Sequence, residues 1–277
     1  MSNLIFSIQY FYLIIYQNNS NMKSIFYSFV FIFLQFSGVS QKESSKNSEN
    51  QKAHPPITMI NNVYYKDSKF DKIDIGCGFL LKYKNDTFAI TAKHILIVAK
   101  TDEMKTTNFE GGLKQWVMHP KDDKNQTVIL GELLNEDTTD SLTWEYLMRA
   151  KNYNDFLIFK IKKNNSKIKP LELSTSKPIK GDTLYNIGWS FGDADGPQRV
   201  YKYSLHESKG HIFSMKKINA PDNPGGLSGS PVINSKGFLV GIVSGTDEDP
   251  ITKEEYSAPQ HTDNLRNFLQ NYYKKIE

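Results

Sequence analysis

From residue 57 onward the chain is a succession of short apolar segments separated by turn residues, and helical periodicity is absent until the last twenty positions. Strands are expected at 73–81, 87–91, 113–118, 127–133, 156–161, 183–187, 210–216, 230–233 and 238–244. Between them lie breakers such as Lys84-Asn85-Asp86, Asn164-Asn165-Ser166 and Asn234-Ser235-Lys236-Gly237. Many strands without intervening helices exclude a parallel α/β sheet and leave an all-β barrel or sandwich. Only the end differs. After Thr262, a good N-cap, apolar residues recur at helical spacing through Tyr273, so a closing helix is expected over about 262–275.

The 277 residues suffice for one large domain or two small ones. Cationic and acidic residues, 34 and 30, are mixed along the chain, which leaves no basic stripe and argues against a nucleic-acid partner. The single cysteine, Cys77, rules out an internal disulfide. It sits in a strand-like stretch with no base beside it, so a small buried side chain is expected there rather than a nucleophile.

The first forty residues read as a targeting segment. From Met22 a lone cation, a short apolar core and Ser37-Gly38-Val39-Ser40 form a secretory signal, with cleavage after Ser40. Met22 is then the natural start. An upstream apolar run over 4–16 is too short to span a bilayer; an uncleaved anchor is the competing reading. Residues 41–56 contain almost nothing apolar and read as a linker. The expected destination is the cell exterior or periplasm, with no membrane contact once the signal is removed.

Three segments carry chemistry. In Pro224-Gly225-Gly226-Leu227-Ser228-Gly229-Ser230-Pro231-Val232, glycines permit a turn that presents the Ser228 hydroxyl. The same turn could aim the N–H groups of Gly226 and Ser228 at one point, as stabilisation of an oxyanion requires. In Phe88-Ala89-Ile90-Thr91-Ala92-Lys93-His94, an apolar strand delivers an imidazole able to relay a proton. In Asn154-Asp155-Phe156-Leu157-Ile158, an acid at the edge of an apolar strand could hold the other imidazole nitrogen. Each alone has a bland reading: a hairpin, a packed histidine, a turn aspartate. Their occurrence together, in the order His, Asp, Ser, does not.

These segments resemble the trypsin-like peptidase superfamily, especially its bacterial glutamyl endopeptidase and HtrA-like branch. Gly76-Cys77-Gly78-Phe79, Thr91-Ala92-Lys93-His94, Asp155-Phe156-Leu157-Ile158 and Gly226-Leu227-Ser228-Gly229-Ser230-Pro231 match its motifs in order. Gly237-Phe238-Leu239-Val240-Gly241-Ile242-Val243-Ser244-Gly245 matches the strand after the nucleophile, and 184–189 the start of a second barrel.

The resemblance implies two six-stranded antiparallel β-barrels, about 57–165 and 170–257, a C-terminal helix, and a serine endopeptidase with the triad His94, Asp155 and Ser228. It implies oxyanion donors at Gly226 and Ser228, support of Asp155 by Ser244, and pairing of substrate with Val243, Ser244 and Gly245. The long stretch before Asp155 leaves Asp140 as a second candidate for the acid. Asp222, six residues before Ser228, stands where trypsins hold the acid that binds Lys or Arg; a glutamyl-type pocket would instead use a histidine such as His211. Leu227 replaces the aspartate through which animal trypsins are activated, so a domain competent on folding is expected. A polypeptide substrate, a monomer and no metal or other cofactor complete the expectation, since no His-Glu-x-x-His or paired Cys/His spacing occurs. The alternative is a catalytically silent peptide- or partner-binding module of the same fold.

Overall fold

The computed structural model describes residues 54–101, 104, 111–136, 143, 154–193 and 196–276. The signal segment, most of the expected linker and Asp140 lie outside these residues. Among the described residues no helix is long and apolar enough to cross a membrane.

Twelve strands form two closed barrels. The first contains β1 (Thr58–Tyr65), β2 (Cys77–Tyr83), β3 (Asp86–Thr91), β4 (Leu113–His119), β5 (Val128–Leu133) and β6 (Leu157–Asn164), ordered β1-β2-β3-β6-β5-β4. The second contains β7 (Thr183–Gly188), β8 (Arg199–Lys209), β9 (Ile212–Asn219), β10 (Pro231–Asn234), β11 (Leu239–Glu248) and β12 (Glu255–His261), ordered β10-β11-β12-β9-β8-β7. All ladders between these strands are antiparallel. A short helix α1 (Ile95–Ala99) follows β3, and α2 (Asp263–Ile276) closes the chain. The expected fold class is the one observed.

The continuous apolar runs of β2, β3 and β6 have a simple cause: both faces of these strands are covered. Leu80, Ala89, Leu157 and Phe159 point into the first barrel. Their neighbours Phe79, Leu81, Phe88, Ile90 and Ile158 point outward and pack with Ile187, Ile233, Leu239 and Ile242 of the second barrel and Leu265 and Leu269 of α2. Helix α2 thus seals the back of the junction. Its apolar positions Leu265, Leu269 and Tyr273 recur every four residues, and Asp263 at its start and Lys274 and Lys275 at its end suit the helix dipole.

Three strands escape the sequence pattern. β1 carries two buried asparagines: Asn61 donates from Nδ2 to the carbonyl of Cys77 at 3.0 Å and accepts Trp116 Nε1–H at its Oδ1 at 3.0 Å, while Asn62 Nδ2 lies 2.9 Å from His119 Nε2. β8 alternates only over 200–206, carries charge on its outer face, and ends in three exposed residues, Glu207, Ser208 and Lys209. β12 contains Pro259, which has no N–H to donate; the β11 register shifts between Ile242 and Gly245, opposite this residue.

Candidate active site

His94 stands at the junction of β3 and α1 and is 5% exposed. Asp155 lies just before β6 and is completely buried. Two bonds join them: the backbone N–H of His94 donates to Asp155 Oδ1 at 2.7 Å, and His94 Nδ1 lies 2.7 Å from Oδ2. A carboxylate can only accept, so the hydrogen of the neutral ring sits on Nδ1 and the lone pair on Nε2. That is the tautomer a general base requires. From the second barrel, Ser244 Oγ donates a short hydrogen bond to the same Oδ2, and the side-chain carbonyl of Gln260 accepts the backbone N–H of Asp155 at 3.0 Å. A buried carboxylate without such donors would be costly; three donors satisfy it here.

Ser228 belongs to a turn that the first barrel grips directly. Its carbonyl accepts the N–H of Cys77 at 2.7 Å. Gly229 follows with φ +81°, in a space so tight that a Cβ would lie 2.3 Å from the Cys77 carbonyl and 2.6–2.7 Å from Thr91 Oγ1 and Ala92 N. Only glycine fits, for reasons of conformation and of space. Thr91 and Ala92 run straight into His94, so this contact ties the serine turn to the segment that carries the imidazole.

The second barrel fixes the turn from the other side. Gly229 donates to the Val243 carbonyl at 2.9 Å, and Val243 N–H to Ser230 at 3.0 Å. Asn186 Nδ2 donates to Ser230 Oγ at 2.6 Å, which in turn donates to the Leu227 carbonyl at 2.6 Å. Leu227, 1% exposed, plugs the second core.

The Gly225 carbonyl is taken by Phe191 N–H at 2.7 Å. In a trans peptide the N–H points opposite the carbonyl, so Gly226 N–H, at φ +94°, turns away from Phe191. Among the described residues neither Gly226 N–H nor Ser228 N–H has a protein acceptor. Asp193 holds the loop that presents Phe191: its carboxylate accepts Ser190 N–H at 2.5 Å and the Tyr201 hydroxyl, and burial together with this carboxylate raises the Tyr201 pKa. Neither Asp193 nor Gln260 carries a signal in the sequence that would have singled it out.

The other expected positions fall as follows. Ser244 joins the His94–Asp155 pair, and Gly245 pairs with Ala258. Both polar groups of the Val243 backbone are engaged by the serine turn. Asp222 is exposed in the loop before that turn, with its carbonyl on Lys217 Nζ at 3.3 Å. His211 lies between β8 and β9, its carbonyl accepting His261 N–H. Cys77 is wholly buried, and burial pushes its thiol up to about 12, which makes it chemically quiet at neutral pH. Among the described residues no group of three or more His, Cys, Asp or Glu side chains could hold a metal ion.

Comparison with known proteins places this geometry in a family. Residues 76–242, more than half of the chain, match the model of the trypsin-like peptidase domain. Among solved structures the chain is similar to mouse neuropsin, a serine protease expressed in the limbic system of the brain, with 14% identity and a TM-score of 0.55. That alignment covers 79% of this chain and 94% of neuropsin. No protein of curated function matches the chain. The chain belongs to the trypsin-like peptidase domain family.

Proposed function

We propose that the protein is an exported serine endopeptidase acting through His94, Asp155 and Ser228. The observation that carries this is the buried Asp155 carboxylate. It receives the ring Nδ1–H of His94 at 2.7 Å and the Ser244 hydroxyl, and so makes Nε2 the ring nitrogen that carries the lone pair a base needs. His94 takes the Ser228 hydroxyl proton as Oγ attacks the peptide carbonyl carbon, then returns it to the departing amine. Water hydrolyses the acyl-enzyme by the same relay. The N–H groups of Gly226 and Ser228 stabilise the oxyanion. The orientation forced on the Gly225–Gly226 peptide by Phe191 supports this assignment.

Because the Val243 backbone already holds the turn, the extended substrate pairs with Ser244 and Gly245, and Val243 contributes by fixing their position. A preference for basic residues would rest on Asp222, and Lys217 close beside it weighs against that preference. The motif around Gly76-Cys77-Gly78-Phe79 supports the bacterial glutamyl and HtrA-like branch, and the segment 22–40 supports export. The chain works as a monomer on polypeptides, without a metal. Burial of Leu227 in the second core supports competence without proteolytic activation.

Labelling of the mature domain by a fluorophosphonate, alongside Ser228→Ala, tests the reading. Wild-type labelling that disappears in the variant supports it. A folded wild-type protein that stays unlabelled points to the silent binding module instead.

A further inference from the structure

We propose that Gln260 is a positioning residue for the acid of the triad, acting through the backbone of Asp155; the inference rests on the functional reading above. Asp155 lies on the segment that leads into the first barrel's β6, which begins two residues later at Leu157. Its backbone N–H lies outside the β6 ladders and is buried, so it needs an acceptor. Gln260, on β12 of the second barrel and 1% exposed, supplies it with Oε1 at 3.0 Å across 105 residues of sequence.

The amide can face only one way. Asp155 N–H is a donor, so placing Nε2 there would oppose two donors. With Oε1 so committed, Gln260 Nε2 is buried and has no acceptor among the described residues. An apolar side chain of similar length would fill the same space without burying an unsatisfied amide. A buried side chain that keeps a costly polar end, in order to present the other end to the residue holding His94, is doing a task that packing alone does not require.

The consequence is a two-point clamp. Ser244 from β11 grips the Asp155 carboxylate and Gln260 from β12 grips its backbone, so the second barrel sets both the place and the orientation of an acid carried by the first. Strands β11 and β12 are neighbours, and Ile242 stands opposite Gln260. Gln260 is held in that ladder, while Ser244 lies where the β11 register shifts between Ile242 and Gly245.

The test compares Gln260→Met, which keeps length and removes the acceptor, Gln260→Asn, too short to reach, and Gln260→Glu, which retains an acceptor oxygen. Turnover of fluorescein-labelled casein is followed with melting temperature and with the low-field proton resonance of the His94 Nδ1–H. For the Met and Asn variants kcat is expected to fall about 10–100-fold with KM unchanged, and the low-field resonance to shift or broaden. Gln260→Glu is expected to retain activity within about threefold of wild type, because a buried neutral carboxyl preserves the accepted bond. Should Met fail to fold, Asn decides. Wild-type kcat and resonance in a folded Met or Asn variant would overturn the proposal, as would a folded Glu variant as impaired as Met. If the wild-type protein turns over no casein and takes no fluorophosphonate, the peptidase reading fails. The resonance still reports separately whether Gln260 sets the His94–Asp155 geometry.

Discussion

Ser244 donates its hydroxyl to Oδ2 of Asp155, the same oxygen that faces His94 Nδ1, although the two residues come from different barrels and stand 89 positions apart. The bond orients the carboxylate and satisfies a lone pair that has no access to water. Ser244→Ala is expected to leave the fold intact and to lower kcat about tenfold, seen in steady-state hydrolysis of a peptide substrate.

Asp155→Asn tests the tautomer argument. An amide nitrogen facing the ring would oppose Nδ1–H and drive the hydrogen to Nε2, which could then no longer accept a proton from Ser228. A loss of about four orders of magnitude in kcat is expected near neutral pH, with KM nearly constant. A drop of less than tenfold in a properly folded variant would remove Asp155 from the mechanism.

Gly229→Ala probes the seam between serine turn and first barrel. The added methyl would sit 2.3 Å from the Cys77 carbonyl, at a φ that alanine resists. Backbone lines this space and cannot give way, so a destabilisation of about 4 kcal/mol or more is expected in urea denaturation. Gly210→Ala, also at positive φ but with open space around it, should cost about 1 kcal/mol.

His261 predicts a pH dependence of the fold. Burial lowers its pKa below the ordinary 6.5, and Ser208 Oγ lies 2.8 Å from its Nε2. The unfolded chain binds that proton more readily. This contribution to stability is therefore complete above pH 6.5 and is lost as the pH falls below it. Replacing His261 by Gln should flatten the slope of unfolding free energy as the pH falls below 6.5, relative to wild type, measured by denaturant titration. Equal slopes would show that the buried ring does not resist protonation.

Much of this architecture was legible. The apolar runs of β2, β3 and β6 and the glycine-rich serine turn announce themselves because they answer to local rules: a strand covered on both faces reads as an apolar run, and a turn at positive φ favours glycine. The helix at the end reads from its spacing and its cap. β1, β8 and β12 do not read in this way. Their buried asparagines and proline are tolerated because a partner strand or side chain distant in sequence meets them, while the charges of β8 face outward.

The sequence by itself determined which residue types were available, in what order, and on which kind of element: an imidazole at a strand end, an acid before an apolar strand, a serine among glycines. Tertiary structure decided how they are held. It recruited Gln260, Asn186 and Asp193, committed the Val243 backbone to the serine turn, and placed Leu227 in a core. The physical reason is reach. Periodicity and turn chemistry act over a few residues, whereas a hydrogen bond from Gln260 to Asp155 exists only once two barrels have closed and docked.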